Sequence, residues 1–177
     1  MVYVAIGSNL ADLAGRAPLD LCRWAVGRIA AEPRLQLRAV SRWYRTAPVP
    51  ASDQPDYING VVALEGEVEP AALLVRLHAI EAEAGRRRTV ANAPRVLDLD
   101  LLAVDGRCSE ADGVLLPHPR LHERAFVLYP LCDVAADWVH PRLGRTARAL
   151  LDGVAGQRIE CLAETSQPLP WRQQRLT

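Results

Sequence analysis

The stretch RVLDLDLLAV, residues 95–104, is the clearest strand in the sequence and decides the fold. Successive side chains of a strand point to opposite faces. Leu99 and Leu101 therefore share one face, while Asp98 and Asp100 share the other, roughly 7 Å apart at the backbone. The alternation predicts a strand that packs its leucines into a core and leaves two carboxylates side by side on the opposite face.

Five further elements precede this strand, bounded by turn residues and prolines. We expect strands at 2–7, 35–46 and 57–64 and helices at 12–31 and 71–84, with Leu13 on the apolar face of the first helix. This order predicts an α+β fold with a ferredoxin-like βαββαβ core, whose two helices cover one face of an antiparallel sheet. Extra C-terminal elements, near 126–134 and 146–151, are expected to cover the other face and complete a three-layer α/β/α arrangement.

The length of 177 residues suits one domain. We expect a single domain over 1–160 and a loosely ordered tail over 161–177, where proline and glutamine are frequent. No apolar run reaches the roughly 20 residues that a membrane span needs, and the N-terminus has no signal-peptide pattern. We therefore expect a cytoplasmic protein that binds no membrane, and we expect it to be a monomer.

The charged residues exclude several kinds of chemistry. All 21 basic residues are arginine, so a P-loop lysine and a Schiff-base lysine are both excluded. The formal net charge is zero, which argues against a nucleic-acid partner. The four cysteines form no C-x-x-C pair and predict no disulfide framework. Any phosphate must be bound by arginine, backbone amides or metal, and the planar guanidinium suits phosphate oxygens.

The paired carboxylates of Asp98 and Asp100 are the strongest functional signal. Two such groups on one rigid strand repel each other unless a cation joins them. Magnesium bound to nucleotide phosphates fits, because one or two carboxylates plus phosphate oxygens typically hold it. Ordinary solvated aspartates on a half-exposed strand are the alternative, and the nearby Arg95 favours the metal site.

Three arginines follow the second predicted helix in the run Gly85-Arg86-Arg87-Arg88. A cationic helix end favours the helix dipole and needs no further function. An RNA-binding run is a second interpretation. The third is that Arg86 and Arg88 reach the phosphates of ATP bound over the aspartates.

The segment from residue 44 to residue 60 combines stiffening prolines with polar side chains. Thr46 and Asn59 offer hydrogen bonds, and Tyr57 offers a ring face. These groups suit a flat polar heterocycle, which needs an aromatic ring to stack on and polar groups for its edge atoms. An ordinary polar loop leading into a strand is the alternative.

The segment LPHPRLHERAF, residues 116–126, is a further candidate. His118 and His122, four residues apart, suggest zinc, but the prolines on both sides of His118 oppose a shared helical face. We favour His118 and Arg124 as phosphate or nucleotide contacts, with Phe126 as an apolar wall.

Taken together, these segments resemble the 6-hydroxymethyl-7,8-dihydropterin pyrophosphokinase family. The matching stretches are AIGSN at 5–9, YRT at 44–46, DQPDYIN at 53–59, Glu81 with GR at 85–86, PRVLDLD at 94–100, and LPH at 116–118 with Arg124 and Phe126. The resemblance covers residues 2 to 140. The combination of the DQPDY and PRVLDLD stretches is highly specific.

The resemblance implies an ATP-dependent diphosphokinase of folate biosynthesis, which transfers the β,γ-pyrophosphate of ATP to the hydroxymethyl oxygen of the pterin and releases AMP. It implies two Mg²⁺ ions held by Asp98 and Asp100, which together with Arg86 and Arg95 would be the catalytic residues. The implied pterin pocket consists of Thr46, Pro48, Val49, Tyr57, Asn59 and Phe126. The implied ATP contacts are Glu81, Arg86, Arg88, Arg95, Leu101, His118 and Arg124.

One loop departs from the family pattern. Family members often carry an Arg-Trp pair before the Ala-Pro-Arg or Gly-Pro-Arg stretch, whereas this chain has TVANA at 89–93. The departure leaves open a paralogue that binds a pterin or nucleotide without efficient transfer. An RNA-binding ferredoxin-like module using residues 86–88 is the other alternative, but the aromatic strand motif that stacks bases is missing.

Overall fold

The structure is a computed structural model that describes residues 1–48, 53–85, 96–111 and 113–163. Its strands are β1 Val2–Ser8, β2 Leu35–Val40, β3 Tyr44–Thr46, β4 Tyr57–Gly66, β5 Asp98–Val104 and β6 Glu160–Cys161. Its helices are α1 Pro18–Ala30, α2 Pro70–Glu83, α3 Ala125–Ala135 and α4 Ala147–Leu150. Short 3₁₀ turns cover Leu121–Glu123 and Leu151–Val154.

The strands form one antiparallel sheet in the order β5-β1-β4-β3-β6, and β2 also pairs with β4. Strand β1 lies between β5 and β4, with Val2, Val4 and Ile6 buried on one face and Tyr3 buried on the other. The order of the four core strands, with β2 and β3 continuing one another, is that of a ferredoxin-like domain. The predicted α+β fold is confirmed.

Each face of the sheet has its own apolar core. Helices α1 and α2 pack on one face, against residues that include Ile6, Val62 and Leu99. Helices α3 and α4 pack on the other face, against residues that include Tyr3 and Val61. The alternation of the strands divides these residues between the two sides, and the expected three layers are confirmed.

The first helix begins at Pro18, and the prediction of a helix from residue 12 is wrong. The side chain of Leu13 is 95% exposed instead of lying on an apolar helix face. The carboxylate of Asp12 accepts hydrogen bonds from the backbone N–H groups of Ala14 (3.0 Å) and Arg16 (2.9 Å), which closes a turn. Gly15 adopts φ 79° within this turn, a conformation that interrupts any helix.

The predicted strand over residues 35–46 is two strands. The Ser41 hydroxyl accepts a hydrogen bond from the Val61 N–H (2.9 Å), and the Ser41 N–H donates to the Val61 carbonyl (2.9 Å). The ring of Trp43 then lies against Gly60, where an added Cβ would come within 2.5 Å of the ring. The chain therefore steps aside between β2 and β3, and β3 pairs with the first residues of β4.

The C-terminal part of the chain adds β6, which pairs with β3 and places Cys161 in the sheet. The tail was expected over 161–177; its first residue, Cys161, ends β6, and residues 164–177 lie outside the described residues. Within the described parts of the chain, no helix is both long and apolar enough to cross a membrane.

Candidate active site

One row of residues crosses the sheet from β5 to β3. Asp98 pairs with Gly7, Gly7 pairs with Asn59, and Asn59 pairs with Tyr44. Residues paired in neighbouring strands place their side chains on the same face. The row lies on the α3 side of the sheet. The side chain predicted to bind metal, Asp98, and the side chain predicted to bind the pterin, Asn59, therefore lie on the same face.

The carboxylates of Asp98 and Asp100 share that face, as the alternation predicted, and both residues are half-buried. The Asp100 Oδ2 atom lies 4.0 Å from His118 Nε2 and 3.9 Å from Arg124 Nη1. Two residues that the resemblance assigned to ATP therefore lie beside one of the two assigned to metal. The fold thus brings the positive charge of Arg124 close to the negative charge of Asp100, although the two residues are far apart in sequence.

His118 is held by hydrogen bonds on two sides. Its backbone N–H donates to the Leu102 carbonyl (2.8 Å), and its Nδ1 accepts from the Arg120 N–H (3.2 Å). Burial lowers the pKa of His118, Asp100 opposes this by raising it, and Arg124 lowers it further. Neutral imidazole with Nδ1 as acceptor leaves the proton on Nε2, the nitrogen that faces Asp100.

Arg124 and Phe126 enter the site at the start of α3. The guanidinium carbon of Arg124 lies 5.4 Å from the centre of the Phe126 ring, a cation–π distance. Phe126 is half-buried against the α3-side core. The start of α3 thus supplies a cation beside Asp100 and an aromatic ring that contacts this cation.

The predicted pterin pocket is assembled from β3, β4 and the loop between them. Asn59 Nδ2 donates to Thr46 Oγ1 (2.9 Å), and both residues are buried. The Tyr57 hydroxyl donates to Gln54 Oε1 (3.2 Å), which also accepts from Asn9 Nδ2 (3.2 Å). These bonds fix the orientation of Asn59 and Tyr57, and Pro48 lies half-buried two residues beyond Thr46.

Glu81 lies at the outer edge of β5 and is 2% exposed. Its Oε1 atom accepts a hydrogen bond from the Leu99 N–H (2.8 Å), so the carboxylate satisfies a backbone donor of the edge strand. The side chain of Leu101 lies in the α1–α2 core, opposite the aspartates. The alternation along the strand predicted this side, and the ATP contact that the resemblance implies for Leu101 stays a prediction that only the backbone of this buried residue could meet.

Asp133 of α3 connects that helix to β3, and sequence reasoning missed it. Its carboxylate accepts hydrogen bonds from the Tyr44 hydroxyl (2.8 Å) and from the backbone N–H (3.1 Å) and guanidinium of Arg42. Burial and the bond to Asp133 raise the pKa of Tyr44 above its ordinary range. No local pattern signals this contact, because the partners are about ninety residues apart in sequence.

Other predicted residues are placed differently or lie outside the described residues. The ring of His122 lies 5.7 Å from that of His140, in the C-terminal layer. Val49, Arg86, Arg88 and Arg95 lie outside the described residues, as does the loop at 89–93.

The donor set suits a hard divalent cation that is shared with phosphate. Within the described residues, no three His, Cys, Asp or Glu side chains gather closely enough to form a complete metal cage. Two carboxylates on one strand offer the oxygen ligands that Mg²⁺ prefers, and Mg²⁺ usually completes its shell with water and substrate phosphates. The residues fit Mg²⁺ that arrives with a nucleotide.

Paired carboxylates, an arginine and a histidine at one end of an α+β sheet suit one class of protein, a transferase that acts on phosphate groups. The family model for 7,8-dihydro-6-hydroxymethylpterin-pyrophosphokinase (HPPK) matches residues 3–136. The chain belongs to this family. Membership confirms the predicted family and the prediction of a pyrophosphokinase of folate biosynthesis.

Two curated relatives agree with this assignment, and both are named 2-amino-4-hydroxy-6-hydroxymethyldihydropteridine pyrophosphokinase. The protein from Pseudomonas aeruginosa is 40% identical over 161 residues, which cover 91% of this chain and 96% of the relative. The protein from Synechocystis sp. is 38% identical over 160 residues, which cover 90% of this chain and 76% of the relative.

Solved structures agree at the level of the fold. A crystal structure of wild-type Plasmodium falciparum HPPK-DHPS with STZ-DHP superposes with a TM-score of 0.65 at 12% identity. The match covers 88% of this chain but 43% of that one, so this chain spans less than half of the solved protein.

Proposed function

We propose that this chain transfers pyrophosphate from ATP to the hydroxymethyl group of 6-hydroxymethyl-7,8-dihydropterin, giving the pterin diphosphate and AMP. The observation that carries the proposal is the row across the sheet, which sets the carboxylate of Asp98 and the amide of Asn59 on one face with a single strand between them. A site for a charged donor and a site for a polar heterocycle thus adjoin each other.

The pterin binds at the end of β3 and β4. Asn59 and Thr46 supply a buried donor and acceptor for the edge atoms of the heterocycle, while Tyr57 and Phe126 supply ring faces. The remaining members of the pocket are Pro48 and Val49. A ring held on both faces and along its edge has one orientation, which directs its hydroxymethyl group towards β1 and β5.

ATP binds over β5, with its phosphates near Asp98 and Asp100. His118, from the segment that follows β5, and Arg124, at the start of α3, meet the phosphates, and both already lie about 4 Å from Asp100. The arginines at 86, 88 and 95 complete the set of phosphate contacts, and Glu81 and the Leu101 backbone contribute at the edge of β5. Binding energy from these groups holds the triphosphate in line with the pterin alcohol.

Asp98 and Asp100 hold two Mg²⁺ ions together with the phosphates. Bound Mg²⁺ supplies charge neutralisation on the phosphate oxygens, which is the main requirement of phosphoryl-type transfer. The alcohol oxygen forms a bond to the β-phosphorus, the bond from that phosphorus to the oxygen of AMP breaks, and the alcohol proton is released. The protein contributes positioning and preorganised charge rather than a nucleophile.

The same proposal includes a monomer that works in the cytoplasm. All four cysteines are free thiols, which suits a reducing compartment.

The direct test is to incubate the protein with ATP, Mg²⁺ and 6-hydroxymethyl-7,8-dihydropterin and to separate the nucleotides. We expect AMP and the pterin diphosphate in equal amounts, and we expect chelation of Mg²⁺ to stop the reaction. Formation of ADP would contradict pyrophosphate transfer. Tight binding of both substrates without AMP would show a paralogue that binds without transfer.

A further inference from the structure

We propose that Gly7 is a positioning residue for the reacting group: its missing side chain leaves the space in which the substituent at position 6 of the pterin meets the transferred phosphoryl group. This inference rests on the proposed function and adds a residue to it. Gly7 occupies the central strand, between Asp98 on one side and Asn59 on the other.

The distances across the row define the size of this space. Neighbouring antiparallel strands place paired Cα atoms about 4.5–5.5 Å apart, so Asp98 and Asn59 are about 10 Å apart across Gly7. An ideal Cβ added to Gly7 would lie 3.3 Å from Asn59 Oδ1 and 4.0 Å from Asp98 Cβ. A methyl group at Gly7 would therefore stand between the proposed pterin contact and the proposed metal ligand.

The exposure of β1 shows that the space is open. Strand β1 has a neighbouring strand on each side, and the residues on its α1–α2 face, including Ile6, are buried. Gly7 and Ala5, which face the site, are only partly buried. The small side chains of β1 thus form the floor of a trough whose sides are the aspartates of β5 and Asn59 of β4.

Backbone conformation does not require glycine at this position. Gly7 lies within regular strand β1 and is absent from the glycines with positive φ. Glycine within a strand is otherwise unfavourable, because it adds conformational entropy to the unfolded chain and packs no side chain. Free space on the site face is therefore the physical reason for glycine here.

The proposal distinguishes two pterins. A pterin that carries the 6-hydroxymethyl group places this group over Gly7, whereas a pterin without a substituent at position 6 leaves the space empty. Alanine at position 7 should affect the first ligand and spare the second. If the role of Gly7 were merely structural, alanine at this position would weaken binding of both pterins equally, because a displaced Asn59 would contact both rings less well.

The experiment compares Gly7→Ala with the matched control Gly27→Ala, where an added Cβ in α1 meets nothing within 4 Å. We expect Gly7→Ala to lower kcat/KM for AMP formation about 10²-fold, the usual cost of misplacing reacting atoms by about 1 Å. By calorimetry, Gly7→Ala should weaken binding of the 6-hydroxymethyl pterin, while its affinity for the unsubstituted pterin should stay within about 3-fold of the wild-type value. Gly27→Ala should change neither affinity. Equal losses for both pterins, or unchanged kcat/KM in folded Gly7→Ala, would overturn the proposal.

A second measurement uses the unaltered protein and so does not depend on the folding of a variant. The amide signal of Gly7 in ¹⁵N-labelled protein should shift on addition of the 6-hydroxymethyl pterin and shift much less on addition of the unsubstituted pterin. Identical shifts would overturn the proposal. Absence of AMP from the wild-type protein would contradict the proposed function instead, whereas the difference between the two pterins tests Gly7 alone.

Discussion

The two faces of the sheet come from the same strands but differ in composition and in purpose. On the α1–α2 face, side chains such as Leu64 and Leu99 are fully or almost fully buried in a continuous apolar core. On the α3 face, the core covers only part of the strands, and the end nearest Asp98 and Asn59 is polar and partly open. Alternation along each strand therefore lets one face fix the fold while the other presents the site.

This contrast predicts that substitutions on the two faces have different effects. Changes to the open end of the α3 face should reduce activity and leave stability nearly unchanged. Changes to the α1–α2 face should reduce stability and leave the kinetics of the folded molecules nearly unchanged.

The largest expected effect is that of Asp98→Ala on turnover. We expect kcat/KM for AMP formation to fall by at least about 10³-fold, because a ligand for the neutralising cations is lost. The free energy of unfolding should change by less than about 1 kcal/mol, since the side chain is half-buried and packs no core. Asp152→Ala, at an exposed aspartate outside the site, is the control for charge loss. Wild-type turnover in Asp98→Ala would discard the metal assignment.

Leu64→Ala tests the opposite face. Leu64 is fully buried in the α1–α2 core, so its truncation should cost about 2–5 kcal/mol of unfolding free energy, measured by urea denaturation. Leu13→Ala makes the same chemical change at an exposed position and should cost less than about 0.5 kcal/mol. A large fall in kcat for folded Leu64→Ala would show that the two faces are not independent.

Asn59→Ala tests whether the open end of the α3 face has a separate pterin half and ATP half. Loss of hydrogen bonds worth roughly 1–3 kcal/mol should weaken pterin binding about 10–100-fold. Binding of a non-hydrolysable ATP analogue with Mg²⁺ should stay within about 3-fold, and calorimetry measures both affinities on one sample. Equal losses for the two ligands would count against a pterin pocket at Asn59.

The smallest effect is expected for Asp133→Asn, which loosens the connection between α3 and β3. The change removes the charge that Arg42 and the Tyr44 hydroxyl bind, at a cost of about 1 kcal/mol in stability. The KM for the pterin should rise a few-fold and that for ATP should not, because β3 carries Thr46. Asp137→Asn, four residues further along, is the control. A rise in the KM for ATP without a rise in the KM for the pterin would show that Asp133 supports the ATP half of the site, which would contradict this prediction.

Alternating strand patterns allowed most of the fold to be predicted. The leucine and aspartate faces of β5 lie as the sequence indicated, and α2 covers Pro70–Glu83 against an expected 71–84. Both patterns are local, and each residue in them is placed by the period of its own element. The prediction for Leu13 was wrong because an apolar residue at helical spacing cannot outweigh the turn that Asp12 and Gly15 close before Pro18.

The candidate site was predicted from residue patterns and family-like motifs. These made Asn59, Thr46, His118 and Arg124 candidates, but they did not indicate the proposed role of Gly7 or the contact at Asp133. Both depend on pairing between strands or on packing between distant elements, which no local periodicity encodes. The side chain of Leu101 lies on the face that the alternation of β5 predicted, and the ATP contact implied for this residue stays a prediction.

The central claim is that the two aspartates of β5 gather divalent cations against the phosphates of a bound nucleotide. A Mn²⁺ titration followed by electron paramagnetic resonance, with a non-hydrolysable ATP analogue present, tests it most directly. We predict saturable Mn²⁺ uptake by the wild-type protein beyond that of the analogue alone, and none by the folded double variant Asp98→Asn/Asp100→Asn. Equal Mn²⁺ uptake by the two proteins would contradict the account.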